Sequence, residues 1–529
     1  MGSKKLSVWL PLLFSIVMIT GMFIGYNLRE NISGGVSFLK NDKTNSLQEV
    51  IDLIRSKYVD PVSTDSIKAD AINDLLAHLD PHSVYIPASE LQEVNEDMQG
   101  NFQGIGIEFQ IFNDTVNVVN VITGGPSFKA GVQIGDQIIK VNDSVLLTGK
   151  NVSLDDIRKY LRGPGGSSVK IIVLRNGELK NITIQRGTIL LPSVDVDYMI
   201  APQTGFIRIN KFSETTYEEF MAALQSLQKQ GMQKLILDLR GNGGGLVNEA
   251  TDIADEFLDD NKMIVYTKGA NTPSAEYRSK KDGLFEKGKL VVLVDETTAS
   301  ASEILAGALQ DWDRATLIGR RTFGKGLVQQ QFDLSDGAAL RLTIARYYTP
   351  LGRNIQKPYD KGKEQYEGEL INRFHDGEVV VGDTAKPKGP AFKTPDGHLV
   401  YGGGGITPDI FVAFDTTAQP QSVVQLYLKG TLNDYVYNYY KQNKSTLQTI
   451  KSPVDLTKQF IPGDKEWQQL NYYAKKDSVN LDTIPAKAKA NLLKQLQALT
   501  ARQIWRTEGF FEVENLTDPI VKKALDVLK

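Results

Sequence analysis

The sequence contains no cysteine and only four histidines in 529 residues. Without cysteine there is no disulfide, no thiolate metal site and no cysteine nucleophile. Such a composition is compatible with an oxidising compartment. The histidines, His78, His82, His375 and His398, are scattered. Neither HExxH nor a comparable ligand spacing occurs, so no metal and no cofactor is implied. There is no GxSxG elbow, and no histidine falls in a strand–helix turn of the expected core. A Ser-His-Asp triad therefore lacks its base. "GNGGG" (241–245) fits neither GxGxxG nor GxxxxGK[ST], which removes a phosphate loop. Basic and acidic residues nearly balance, 60 against 63, with no polybasic run, so nucleic acid has no electrostatic footing.

The length exceeds one ordinary core and predicts three or four folded units. Lys4 and Lys5 precede an uncharged apolar run, Leu6 to Leu28. As a helix it would span roughly 34 Å, enough for a bilayer core. The lysines orient the N-terminus to the cytoplasm, with the remainder exported. A transmembrane signal anchor at 6–28 is expected. The alternative is a cleaved signal peptide, whose apolar region is normally shorter and ends in a small-x-small site.

Residues 29–45 are polar and read as a linker. Over 46–98, Val50, Ile51, Ile54, Ile67, Ala71, Leu75 and Leu79 recur at helical spacing, until Pro81 in "LDPHS" breaks the helix. From 99 to 187 the pattern alternates. Hairpins are expected at Asn113-Asp114 and Asn176-Gly177, with one main helix over 153–161. From 188, strands and helices alternate: "GFIRINKF", helix 217–230, "KLILDLRG", helix 246–258, "KMIVYTKG", "KLVVLVDE", helix 301–312 and "ATLIGR". These short apolar runs fit buried strands covered by helices. Residues 350–415 look irregular, and 416–529 form a helical C-terminal region.

The chemistry that remains is a serine with a lysine. A neutral lysine amine can take a serine proton and return it to a leaving amine. That requires a lowered pKa, which burial supplies. Lys325 sits in "TFGKGLV" between glycines, with no carboxylate close in sequence. Arg320 and Arg321 would add to the effect if they face inward. Ser300 follows the strand "KLVVLVDE" and begins "SASEILAGALQ", where helix N–H groups suit an oxyanion. The Ala301 N–H is one donor, and the loop "LRGNGGG" offers a second through Gly243 or Gly244. Ser302 is a rival nucleophile by composition. Taken singly, each feature has a plainer reading: a helix cap, a turn with a solvated lysine, a Gly-rich turn.

Taken together, "TASASEILAGALQD" and "TFGKGLVQ" resemble the carboxy-terminal processing proteases, the tail-specific Ser/Lys peptidases of family S41. The resemblance implies Ser300 as nucleophile and Lys325 as base, at the family's usual spacing. Gln329, one helical turn on, would orient the lysine. "YVDPVSTDSIKADAINDLLAHLDPHSVYI" resembles the family's N-terminal helical segment. "FQGIGIEF", "GGPSFKAGVQIGDQIIKVND" and "YLRGPGG" resemble its embedded PDZ domain. Gly104, Ile105, Gly106 and Ile107 would then receive a chain-terminal carboxylate and pair with the peptide, with Ile105 and Ile107 lining a pocket. The plainer reading is an ordinary β-domain core. Arg162 is a candidate link from PDZ domain to active site.

The fold implied is multidomain α/β: a ClpP/crotonase-like protease core over 188–415 with an inserted PDZ domain. The activity implied is a serine endopeptidase of the bacterial envelope, anchored in the inner membrane with its catalytic part in the periplasm. Its partners would be protein substrates bound by their C-termini. The C-terminal helices would serve self-association or an adaptor, or act as a structural cap.

Overall fold

The computed structural model describes residues 18, 20–21 and 46–529, apart from 113, 143–144, 150–152, 383–388 and 417–418. The expected anchor (6–28, save 18, 20 and 21), the linker (29–45) and Asn113 of the first turn lie outside the described residues. Among the described residues no helix is long and apolar enough to cross a membrane. The chain divides into two compact units, Met1–Ala71 and Ile72–Lys529.

The first unit contains α1 (Ser46–Lys57) and the start of α2 (Thr64–Ala77). Glu49 in the first turn of α1, with Arg55 and Lys57 in its last, complements the helix dipole. Ile51 is buried while Val50 is exposed. In the second unit, α2 stops at Ala77, so Leu79 falls beyond its face. Leu76 is the buried residue there, and the expected Leu75 is exposed. β1 (Val84–Ile86) and α3 (Ala88–Gln99) follow, and Gly100 closes α3 in the left-handed region at φ 72°.

The alternating region folds as a β-domain. Its elements are β2 (Asn101–Gly104), β3 (Ile107–Phe112), β4 (Thr115–Val121), α4 (Pro126–Lys129), β5 (Gln137–Val141), β6 (Val145–Leu146), α5 (Leu154–Leu161), β7 (Ser168–Arg175), β8 (Glu178–Gln185) and β9 (Gly187–Leu190). The main sheet runs β3-β4-β5-β7-β8, with β6 on β5, so β3 is an edge strand. β7 and β8 turn at Asn176 (φ 52°) and Gly177 (φ 85°), the two positive φ angles of a primed hairpin turn. Ser153 caps α5 by accepting from the Asp156 N–H. The β3–β4 ladder bulges after Glu108, leaving Val119 without a partner. β2 and β9 pair with each other where the chain enters and leaves the domain.

The next stretch contains β10 (Val194–Ala201), β11 (Thr204–Ile209), α6 (Thr216–Lys229), β12 (Lys234–Asp238), α7 (Val247–Asp255), β13 (Met263–Lys268), β14 (Ala275–Arg278), β15 (Lys289–Val294), α8 (Ala301–Asp311), β16 (Thr316–Gly319), β17 (Leu327–Asp333) and β18 (Ala339–Tyr348). β11, β12, β15 and β16 pair in parallel. Leu235, Ile236, Leu237, Val291, Val292 and Leu293 are wholly buried, as continuous apolar strands covered on both faces must be. β13 corrects the expected run. It pairs antiparallel with β14 and β18 in a second sheet that also holds β1 and β17. An apolar run marks a buried strand without saying in which sheet.

The region expected to be irregular is not. It carries α9 (Lys363–His375), α10 (Glu378–Val381), β19 (Ala391–Lys393), β20 (Leu399–Tyr401) and β21 (Ile410–Phe411), the last parallel to β16. α9 is rich in Glu, Gln and Asn, so its few apolar residues hide its period. The C-terminal helices are α11 (Gln421–Leu428), α12 (Thr431–Leu447), α13 (Pro453–Gln459), α14 (Asp464–Lys476), α15 (Ala486–Asn515) and α16 (Pro519–Leu528). α16 buries Ile520, Val521, Ala524 and Leu528 against Phe206, Ile236 and Val291 of the parallel sheet.

Among the contacts that tie the β-domain to these helices, two involve the β3–β4 pair. Phe112 of β3 stacks on Tyr437 of α12, ring centroids 5.3 Å apart. Arg506, at a kink in α15 with φ 63°, donates to the carbonyl of the bulged Val119 at 3.3 Å. Tyr437→Ala removes one ring of a pair worth about 0.5–1.5 kcal/mol beyond burial. Amide protection in β3 and β4 is expected to fall roughly two- to tenfold, with β11 and β12 unchanged, as read by hydrogen exchange.

Candidate active site

The loop between β15 and α8 is shaped by Asp295. Its Oδ1 accepts from the N–H groups of Thr297 (3.0 Å) and Thr298 (3.1 Å) and from Gly241 N–H (3.2 Å). Asn242 joins the Gly-rich loop to the same turn. Its carbonyl accepts from Ala299 N–H and from the Ser302 hydroxyl, each at 3.0 Å. Ser302 is wholly buried and spent on that bond, which removes it as a nucleophile.

Ser300 follows at φ 57°, ψ −117°, a conformation that costs a residue with a side chain about 1–3 kcal/mol. Its N–H donates to Glu303 Oε2 at 2.9 Å, the acid's half of a capping box. Gly244 lies against it. A Cβ there would stand 2.7 Å from both Ser300 Cβ and Ala299 O. Gly244 also has φ 99°, so only glycine fits without strain. Its N–H donates to Asn242 Oδ1 at 2.8 Å. Gly243 N–H and Ala301 N–H find no acceptor among the described residues.

Lys325 is brought to Ser300 by shared partners. Glu303 Oε2 also accepts Lys325 N–H at 2.8 Å, and the Tyr347 hydroxyl reaches the carbonyls of both Ser300 and Lys325. Lys325 Nζ donates to Gln329 Oε1 at 3.0 Å. Burial holds its pKa below the ordinary lysine value. The Arg341 guanidinium on β18 adds to this, while Glu303 and Asp80 oppose it. Arg320 and Arg321 do not act as expected. Arg320 pairs with Glu296 at 2.6 Å, and Arg321 with Glu378 at 2.7 Å.

Gln329 is not one helical turn beyond Lys325. It lies on β17, at an irregularity in the pairing with β18 that falls between Val328 and Gln329. Its Nε2 donates to the His82 carbonyl at 2.6 Å. His82 therefore stands beside the candidate base, and its ring nitrogen Nε2 is 2.7 Å from the Tyr366 hydroxyl. Burial, then the Lys325 charge, push its pKa down to about 4, so the ring is neutral near pH 7. "LDPHS" is thus more than a helix break. Asp80 Oδ1 accepts from His82 N–H (2.8 Å), Ser83 N–H (2.9 Å) and the Thr343 hydroxyl (3.0 Å), anchoring the turn to β18. The sequence signal was an Asp two residues before His82, an Asx-turn pattern.

In the β-domain, Ile105 is a core residue at 3% exposure, so it does not line an open pocket as expected, and Ile107 is half-buried. Gly104 ends β2 and Gly106 has φ 73°. Arg162 donates to Glu93 at 3.1 Å and stacks on Phe102 at 4.7 Å. Neither contact reaches Ser300, Lys325 or Gln329. Arg162 and Arg341 do line one cleft of about 330 Å³, with Glu93, Glu96 and Phe102.

Comparison with known proteins places the chain in a family. The chain matches peptidase family S41 over residues 203–362, a PDZ domain over 103–185, and a family of unknown function over 423–506. It is 34% identical over 355 residues to a carboxy-terminal-processing protease of Bartonella bacilliformis, covering 64% of this chain and 80% of that protein. It is 33% identical over 353 residues to a probable CtpA-like serine protease of Staphylococcus aureus, covering 66% and 70%. Among solved structures, a photosystem II D1 C-terminal processing protease has 28% identity and a TM-score of 0.36, covering 70% of this chain and 87% of that one. On the extent of the identity to the Bartonella protein, and with a PDZ domain and a peptidase domain in one chain, the protein belongs to peptidase family S41, the carboxy-terminal-processing serine proteases.

Proposed function

We propose that this protein captures the C-terminal tails of envelope proteins and cleaves them with a Ser300/Lys325 dyad. One observation carries the reading: a buried lysine amine, oriented by a single amide oxygen and tied to Ser300 through Glu303 and Tyr347. Ser300 Oγ attacks the scissile carbonyl as its proton passes to the neutral Lys325 amine. The N–H groups of Gly243 and Ala301, both without acceptors among the described residues, receive the oxyanion. Gly244 is the packing residue rather than the donor, since Asn242 takes its N–H. Lys325 returns the proton to the leaving amine as the acyl-enzyme forms. It then activates the water that releases the new C-terminus.

Substrate capture fits the edge position of β3, whose free side can add an extended tail. Ile105 N–H and Gly106 N–H find no acceptor among the described residues and suit a terminal carboxylate. The serine in the loop after a parallel strand, opening a helix, is the basis for reading the core as ClpP/crotonase-like. The uncharged run 6–28 is the basis for an inner-membrane anchor and a periplasmic catalytic part.

On a protein with a free apolar C-terminus, Ser300→Ala and Lys325→Ala are each expected to lower kcat by about a thousandfold or more. Full activity in either variant would remove the dyad. The active base is neutral, so kcat/KM should rise with pH through one deprotonation and then level off. Because Lys325 is held low, that midpoint should fall below the usual lysine value of about 10.4. Gly244→Ala, which displaces Ser300, should lower kcat roughly a hundredfold. A stopped assay alongside serine labelling checks it, and a variant as active as wild type would contradict the packing role.

A further inference from the structure

The lysine loop, 321–326, has no regular secondary structure, yet its main chain is held at every step. Glu303 accepts Gly324 N–H at 2.8 Å as well as Lys325 N–H. Gln356 Oε1 accepts Gly326 N–H at 2.8 Å, and Lys357 N–H donates to the Gly324 carbonyl at 2.9 Å. Those groups lie within the stretch that matches the peptidase family, 203–362. The helix that finishes the support does not: α9 begins at Lys363, one residue past the end of that match.

α9 reaches Lys325 along two routes. The first is main chain. Arg373, 3% exposed, donates Nη1 to the carbonyls of Arg321 (3.1 Å) and Thr322 (2.8 Å) and Nη2 to that of Phe323 (3.2 Å). One guanidinium thus fixes three successive peptide groups leading to the base. Glu369, one turn earlier, accepts from Arg373 Nε at 2.8 Å and from Lys357 Nζ at 3.0 Å. Against burial, which raises it, these partners hold the Glu369 carboxyl at about 2. Glu369 is therefore ionised at any working pH.

The second route runs through side chains. The Tyr366 ring packs edge-on to Phe323 with centroids 5.8 Å apart. Its hydroxyl shares the 2.7 Å hydrogen bond with His82 Nε2. The His82 carbonyl accepts from Gln329 Nε2, which leaves Gln329 Oε1 turned to Lys325 Nζ. An amide has one face of each kind, so fixing the N–H end fixes which end meets the amine.

We propose that α9 is the positioning element for the general base, with Arg373 and Tyr366 as its positioning residues. The proposal rests on Lys325 being the base. Arg373 sets the backbone from which the lysine springs, and Tyr366 sets the turn that aims its hydrogen-bond partner. Among the described residues, the charged and titratable groups facing Lys325 are Arg341 and Tyr347 from β18, Glu303 from α8, and Asp80 and His82 from the turn. Loosening the amine lets water reach it, which favours the ammonium.

The test uses the full chain and a substrate with a free apolar C-terminus. Tyr366→Phe keeps the ring and removes only the hydroxyl; Arg373→Lys keeps the charge and loses the fork. Each is expected to lower kcat roughly ten- to a hundredfold with KM little changed. Each should also move the ascending limb of the pH–rate profile to higher pH. A wild-type kcat with an unmoved limb in either folded variant overturns the proposal. So does a fall in kcat with the limb unmoved, which marks a merely structural role. If Arg373→Lys does not fold, Tyr366→Phe decides alone. Lys325→Ala is run beside them: retained activity there removes the base assignment itself, whereas an inactive Lys325→Ala with unaffected α9 variants removes only the role of α9.

Discussion

Everything at the site depends on one buried carboxylate. Glu303 is fully enclosed, and its two oxygens accept from Ser300 N–H, Lys325 N–H, Gly324 N–H and the Thr322 hydroxyl, the last at 2.5 Å. Burial pushes its pKa up, and these four donors pull the other way. A carboxylate in such surroundings is tolerated only because each lone pair is used. No lysine or arginine side chain is ion-paired to it among the described residues. The carboxylate is therefore held by three peptide N–H groups and one short hydroxyl side chain. A salt bridge would have drawn a flexible side chain into the same space.

That choice has an electrostatic counterpart at Lys325. A neutral amine needs distance from anions or a compensating cation. Glu303 lies nearby and favours the ammonium, as does Asp80. Burial outweighs both, helped by Arg341. The nearer arginines in sequence, Arg320 and Arg321, are fully engaged by Glu296 and Glu378. They serve the fold of the loop instead of the chemistry of its lysine.

Local chemistry was legible in the sequence wherever it was carried by local pattern. The hairpin at Asn176-Gly177 and the Gly-rich turn follow from turn rules acting over a few residues, whereas Ser300 and Lys325 are singled out by the resemblance of "TASASE" and "TFGKGLV" to the family motifs. The helices at 216–229, 247–255 and 301–311 were expected within a few positions. What escaped was long-range. Arg341 reaches Lys325 only because β17 and β18 pair. The His82 carbonyl meets Gln329 only because β1 joins β18 and draws the "LDPHS" turn onto the core. A backbone carbonyl has no sequence signature, so no reading of side chains could have nominated it. α9 was hidden by composition. Its buried residues, Tyr366 and Arg373, are not the aliphatic stripe by which helices are recognised.

The open side of β3 carries a consequence of a different kind. An unpaired strand is a template for any extended chain, including another copy of itself. Here the edge is short, carries the exposed Glu108, and pairs with a strand, β4, that bulges at Val119 opposite it. Arg506 grips the bulge from behind, so it is braced as well as present. A straight, apolar edge would pair indiscriminately and precipitate the protein. On the proposed function the same edge must take a substrate's tail and refuse a neighbour's strand, so the bulge opposite it bears on solubility as much as on recognition.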